Sequence, residues 1–299
     1  MDVRQLRYFL AVVDNGGFNR AAEHLLIAQP SLSQTIKALE QDLGVPLFHR
    51  AGRKAVLSEA GRELVGPARL VVRDLDAARA AVDDLKGVRS GRLDISAMPS
   101  PGVEPLTSMI AAFSRSYPTV TINVEAAFTL DDVVESVRSG SSEIGVLGSE
   151  RPVRAAGVDV TQLERQPLVL IMSPESDDLG RQGVVRRAEL AGERVIVSQR
   201  GSLMRRVVDD ILASGVPVEI VVEVAHRTSI LPLVLAGVGH AILPSSWATL
   251  AEHSGLRVAR IEPEAALHVA VVSRQTDLTP SARAFLDVAR GYAEAQLNR

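Results

Sequence analysis

The sequence predicts an N-terminal all-α winged helix-turn-helix, a long linker helix, and a C-terminal α/β region of two Rossmann-like lobes. Three observations carry this expectation. The first sixty residues hold three short amphipathic helical segments, with a tight turn between the second and third and a basic turn after them. An apolar repeat in alternating steps of four and three then runs to Leu85. From Leu93 onward, β-branched runs alternate with helical segments, which implies parallel sheets covered by helices.

The bulk properties agree with a multi-unit protein. The chain has 299 residues, 46% hydrophobic and 23% charged, enough for two or three folding units. Only 3% are aromatic, so the cores must be built from Ala, Val, Leu and Ile. A net charge of -3 means that any nucleic-acid surface is local rather than global. There are no cysteines, which excludes disulfides, thiolate zinc sites and a thiol redox switch. No basic segment followed by an apolar run opens the chain, and no apolar stretch approaches the roughly 20 residues of a membrane span. A cytoplasmic protein without membrane contact is expected.

Leu6, Phe9, Leu10 and Val13 recur at helical spacing, so residues 4–13 read as a helix stopped by Asn15-Gly16-Gly17. Asn19 is the expected N-cap of a second helix that turns Ala21, Ala22, Leu25 and Leu26 inward. A third starts near Pro30, with Leu32, Ile36, Leu39 and Leu43 on one face and Gly44 at its end. Its outward face carries Gln29, Ser31, Ser33, Gln34 and Lys37, suited to base edges or phosphates in a major groove, or equally to a solvated helix face. Arg50, Arg53 and Lys54 flank Gly52 in a turn that reads as a basic wing, placed to touch the DNA backbone or minor groove.

Taken together, Ala21-Ala22-Glu23-His24-Leu25, Gln29-Pro30-Ser31-Leu32-Ser33, the run Leu39 to Arg50, and Leu57-Ser58-Glu59-Ala60-Gly61 closely resemble the LysR family of transcriptional regulators. The resemblance is near-continuous over the first sixty residues. It implies that the third helix enters the major groove through the matching Gln29, Pro30, Ser33 and Gln34. Two positions depart from the family pattern. Ala28 stands where a capping Ser or Thr is usual, at a cost of about 1 kcal/mol. Gln34 stands where Arg is common, which shifts the preferred base from guanine toward adenine.

Gly61, Leu64, Ala68, Val71, Leu75, Ala78, Val82 and Leu85 form a heptad seam of about four repeats. Either it packs along its own chain or it pairs with a second copy; the LysR resemblance implies a dimer interface. Pro67 should kink this helix. Lys86-Gly87 to Ser90-Gly91 reads as a hinge.

In the C-terminal region strands are expected at Leu93–Ala97, Val120–Ala126, Ile144–Leu147, Leu168–Ser173, Arg194–Val197, Glu219–Val224, His240–Leu243 and Val269–Ser273. Helices are expected at 103–116, 130–139, 202–214, 227–237 and 280–297. Two lobes with two crossings between them, like those of periplasmic binding proteins, follow from this order. The expected division is 1–57 for the DNA-binding domain, 58–87 for the linker helix and 88–299 for the two lobes. Lobe I takes about 91–161 and 268–299, and lobe II about 162–267.

Ligands in such folds sit beyond the carboxyl ends of the strands. The candidate residues at those junctions are Met98, Ser100, Pro101, Phe128, Thr129, Ser198, Gln199, Gly201, Ser202, His226 and Thr228. Hydroxyls and free N–H groups at converging helix starts suit a small anion, typically a carboxylate. The hydroxyls of Ser100, Thr129, Ser202 and Thr228 could equally be helix caps. Arg200 and Arg205 could pair with an acid or simply be solvated. Leu93-Asp94-Ile95-Ser96-Ala97 and the run Leu235 to Pro244 resemble LysR effector domains, with His240 after Gly239 a departure from the usual apolar residue.

An enzyme is disfavoured. There is no Walker loop, no Gly-x-Gly-x-x-Gly, no Gly-x-Ser-x-Gly and no histidine cluster with metal-ligand spacing. A solute-binding protein would have no use for residues 1–57, and an architectural DNA-binding protein would not need the two lobes. The expected function is an effector-controlled transcriptional regulator with no cofactor. Its expected partners are double-stranded promoter or operator DNA, itself as homodimer or homotetramer, RNA polymerase and a small-molecule effector.

Overall fold

Asp2 opens the first helix with a capping box: its carboxylate accepts from Gln5 N–H at 2.8 Å while the Gln5 side chain accepts from Asp2 N–H at 2.9 Å. The computed structural model describes residues 1–51, 54–85, 91–175, 179–180, 182–275 and 278–297, leaving out the side chains of 50, 51, 54, 77 and 79–85. The N-terminal head is α1 (Val3–Asp14), α2 (Phe18–His24) and α3 (Gln29–Leu43), followed by the hairpin β1 (Phe48–Ala51) and β2 (Lys54–Leu57). Asn19 does not cap α2. The N-cap lies two residues earlier, at Gly17, which offers no side-chain hydrogen bond to the helix start. Ala28 starts α3 without a side-chain hydrogen bond, and Gly44 ends it in the left-handed region at φ 73°.

The head core is Leu6, Phe9, Leu32, Ile36, Leu39 and Leu47, closed by Ala68 from the next helix. Glu40 fastens the wing to α3 by accepting from Leu47 N–H at 2.7 Å and Phe48 N–H at 3.2 Å. The connecting helix α4 (Glu59–Leu85) starts at Ser58, whose hydroxyl accepts from Gly61 N–H at 2.9 Å. Pro67 lies inside it, and the residues on both sides of the proline are helical. Of the expected hinge from Lys86 to Gly91, residues 86–90 lie outside the described residues and Gly91 opens the next strand.

The C-terminal region continues with β3 (Gly91–Ala97), α5 (Pro99–Val103), α6 (Leu106–Ser116), β4 (Val120–Ala126), α7 (Leu130–Arg138), β5 (Ile144–Ser149), β6 (Asp159–Met172), β7 (Val184–Arg186), β8 (Arg194–Ser198) and α8 (Leu203–Ala213). It ends with β9 (Glu219–Val224), α9 (Ile230–Leu235), β10 (His240–Pro244), α10 (Ala248–His253), β11 (Arg257–Glu262), β12 (Ala266–Ser273) and α11 (Pro280–Leu297). The helix expected over 103–116 starts only at Leu106, and a separate short helix, α5, precedes it. Pro105, which has no N–H to donate, separates them. The helix expected over 227–237 is a 3-10 turn at Arg227–Ser229 followed by α9.

The sheets are mixed rather than purely parallel. β4-β3-β5 and β10-β8-β9 pair in parallel, but β12 runs antiparallel to both β5 and β6, and β10 and β11 run antiparallel to β6. The expected strand Leu168–Ser173 is only the last part of β6. Residues Asp159–Pro167 pair with β12 in the first lobe, and Leu168–Met172 pair with β10 and β11 in the second. One strand therefore crosses between the lobes, changing sheets after Pro167, later than the expected start of the second lobe at 162. The chain returns between β11 and β12. A largely apolar core runs through both sheets, from Leu93, Ile95 and Phe113 to Val195, Val207 and Ile211.

Candidate functional site

On α3 the structure places Pro30, Ser31, Gln34 and Lys37 on the exposed face, opposite the buried Leu32, Ile36 and Leu39. Gln29 and Ser33 are half-buried and tied to each other, Gln29 Nε2 donating to Ser33 Oγ at 2.7 Å. That bond orients both side chains one turn apart on the helix. Arg50 and Lys54 stand on β1 and β2, paired respectively with Ala55 and Ala51 in the hairpin register. Their side chains, and Arg53 entirely, lie outside the described residues.

The second site is a cleft of about 250 Å³ between the lobes. Met98 and Pro101 at α5, and Phe128 and Thr129 before α7, line it from the first lobe. Ser198, Gln199, Gly201 and Ser202, between β8 and α8, line it from the second. Gly201 has φ 90°, a conformation that side chains other than glycine rarely adopt. Three expected residues do not form this wall. Ser100 is fully buried, while His226 and Thr228 are exposed and lie outside the lining, on either side of Arg227 in a short 3-10 turn where a helix was expected.

The hydroxyls divide by role. Thr129 caps α7, accepting from Asp132 N–H at 3.1 Å, and Ser202 caps α8, accepting from Arg205 N–H at 3.2 Å. Ser100 is no cap; its hydroxyl accepts a hydrogen bond from Arg227. Thr228 caps nothing. Ser198 Oγ is different again: it is buried, borders the cleft and has no hydrogen-bond partner among the described residues. A buried hydroxyl left unpaired costs roughly 1–3 kcal/mol, so this one favours a guest that can hydrogen-bond to it.

The arginines also divide. Arg205 turns away from the cleft and is held by Asp209 at 2.8 Å and by Glu223. Arg206 meets Glu150 of the first lobe at 3.4 Å, and Arg200 is exposed at the cleft. Arg227, not singled out from the sequence, also lines the cleft. Among the described residues no carboxylate pairs with it, and loss of water pushes its pKa down to about 10. Its spacing in the sequence carried no signal, since a lone arginine after a strand is ordinarily solvated.

Residues 86–294 match the LysR substrate binding domain, and residues 3–62 match the bacterial regulatory helix-turn-helix protein, lysR family. The chain belongs to the LysR family. Among curated proteins, this LysR regulator is 31% identical to the HTH-type transcriptional regulator IlvR of Caulobacter vibrioides over 291 residues, 96% of each chain. It is similar to the crystal structure of CbnR, a LysR family transcriptional regulator, with TM-score 0.69 and 27% identity over 98% of this chain and 99% of that one. CbnR complexed with its target DNA matches at TM-score 0.68 and 28% identity over 98% of this chain and 100% of that one. A full-length OxyR variant from Pseudomonas aeruginosa shares the fold at TM-score 0.73 and 23% identity, over 98% of this chain and 94% of that one. The LysR protein described here is accordingly a transcriptional regulator rather than an enzyme, with an N-terminal helix-turn-helix and a two-lobed substrate-binding domain. Among the described residues no helix is long and apolar enough to cross a membrane, and no group of three or more His, Asp or Glu could hold a metal.

Proposed function

We propose that this LysR regulator binds partly palindromic promoter DNA as a homodimer or homotetramer, under the control of a small anionic effector held between its lobes. Residues 1–57 are the DNA-binding unit, 58–87 the linker and dimerisation helix, and 88–299 the effector-binding domain. Gln29, Pro30, Ser31, Ser33, Gln34 and Lys37 face the major groove, with Arg50, Arg53 and Lys54 on the flanking backbone. The observation that carries the effector reading is the cleft itself: walls from both lobes, a buried Ser198 hydroxyl with no partner among the described residues, and an arginine with no carboxylate among them. A guest that bridges the lobes favours one arrangement of them in proportion to its difference in affinity for the two. The DNA heads then change spacing, and with it their contact with RNA polymerase in the cytoplasm.

The test is selection of genomic fragments by the purified full-length protein at near-physiological salt. Enrichment of one partly palindromic promoter site is expected. Uniform recovery of fragments would sink the sequence-specific reading.

A further inference from the structure

Arg227 reaches across the cleft. It belongs to the second lobe, in the 3-10 turn after β9, yet its guanidinium donates to Ser100 Oγ of the first lobe. Ser100 has no exposed surface and sits at the start of α5, directly after β3. A guanidinium offers five donors in a planar fork, and a single hydroxyl oxygen is a poor match for it. The other two arginines of the cleft are placed differently: Arg206 has Glu150, and Arg200 stands in water. Among the described residues, the cleft therefore has one desolvated positive charge, met by a neutral acceptor. Around it Met98, Phe128, Leu203, Met204 and Leu267 supply apolar wall.

We propose that Arg227 is the receptor for the effector's carboxylate, that the effector is a small monocarboxylic acid with an apolar body, and that it binds by taking the guanidinium from Ser100. This rests on the reading of the cleft as the effector site. A carboxylate accepts two parallel hydrogen bonds from the fork and neutralises its charge, which a serine hydroxyl does not. The volume, about 250 Å³, restricts the guest to a small molecule. Ser198 Oγ supplies one further hydrogen bond. In the absence of effector the Arg227–Ser100 bond ties the two lobes together. Occupancy replaces a direct inter-lobe bond with one made through the ligand, so the lobes respond to the acid.

The test is calorimetric titration of the full-length protein with isobutyrate, isovalerate and benzoate, each beside its amide, and with succinate. Monocarboxylates should bind and the matching amides should not. Arg227→Gln should weaken the bound acid by at least about tenfold, since a charge-assisted pair is lost, and Arg227→Lys should weaken it less. Ser100→Ala should strengthen acid binding, because it removes the competing acceptor; a merely structural serine would not behave so. Equal binding of the acid to wild type and Arg227→Gln would overturn the assignment of Arg227 while leaving the cleft as the effector site. Preference for amides or for succinate would overturn the ligand class. No heat with any of these probes would overturn both the ligand class and the receptor role, and protection of the cleft by an unrelated metabolite would then keep the broader reading alive.

Discussion

Arg73 on the connecting helix donates to the backbone carbonyl of Ser142 in the first lobe, at 3.5 Å. The next residue, Glu143, is 2% exposed and accepts from Thr279 N–H at 3.4 Å. Burial pushes its pKa up, and the nearby Arg73 charge is the largest effect opposing that rise. Leu70 lies over Gly140 on the same face of α4, so one side of the helix is seated on the first lobe. Arg73→Ala removes the opposing charge and leaves the buried Glu143 less well compensated. The expected cost is about 1–3 kcal/mol at neutral pH. A urea midpoint unchanged from wild type would show that the contact does not fasten the helix.

The same carboxyl sets a pH dependence. Because the folded pKa of Glu143 is raised, its contribution to stability is fully present below the unfolded carboxylate value of 4.5 and is lost as pH rises through the folded value. The groups facing it are Arg73 from α4, Asp94 from β3 and Thr279 ahead of α11. Glu143→Gln has no charge to desolvate, so its stability relative to wild type should increase from acid to neutral pH. Denaturant unfolding across that range reads the difference directly; a relative stability that falls with pH would contradict the assigned shift.

A third expectation concerns a glycine that does more than space a repeat. A Cβ on Gly61 would overlap the Leu47 carbonyl, where α4 crosses the end of the wing. The obstacle is backbone, which cannot rotate aside. Gly61→Ala should therefore destabilise the head by about 1–3 kcal/mol, like other overpacking changes, and weaken DNA binding through loss of folded head. Thermal unfolding of the full-length variant with a normal first transition would show that the wing can move to admit the methyl group.

That glycine also shows where the sequence was legible and where it was not. The head could be read because its helices carry both periodicity and punctuation: Leu32, Ile36 and Leu39 point inward, and Gly44 stops α3. The strands β3, β4 and β9 could be read because their β-branched runs are bounded by turns. The first half of β6 could not, since Gln162, Glu164, Arg165 and Gln166 dilute its apolar signal while the pairing with β12 comes from residues a hundred positions away. Likewise Met98, Phe128 and Ser202 were found at the cleft because they follow strands, whereas Arg227 was missed because nothing local separates a desolvated arginine from a solvated one. The heptad pattern had two causes superimposed. Gly61, Leu64 and Ala68 repeat because they pack on the head, while the exposed Val71 and half-buried Leu75 continue the spacing beyond it.

DNA recognition gives a fourth prediction. Gln34 is exposed on α3, and a glutamine there pairs best with adenine. Gln34→Ala should relax preference at one base pair, by about 1–3 kcal/mol of discrimination, without a matching loss on other sequences. Arg53→Ala, between β1 and β2 in the sequence, should weaken binding to all sequences alike and reduce the salt slope by about one. Gel-shift titration against a set of single-base variants at two salt concentrations separates the two effects. The reverse pattern would exchange their roles.

The last prediction follows from the way the apolar stripe of α4 leaves the head. Ala68 is 1% exposed within the head core, but one step on Val71 is 44% exposed and Leu75 only half-buried. An isolated apolar residue on a surface needs no explanation, yet here the exposed positions continue the spacing of the buried ones, which is the geometry of a seam awaiting a second helix. Val71→Asp places a charge on that seam without touching the head, and should lower dimer affinity by at least about tenfold as measured by sedimentation. Ala68→Asp is the informative comparison: it buries the charge inside the head, so it should unfold the head rather than simply separate two folded chains. A Val71→Asp protein that dimerises as tightly as wild type would mean that the copies meet elsewhere and that this stretch of α4 serves its own chain alone.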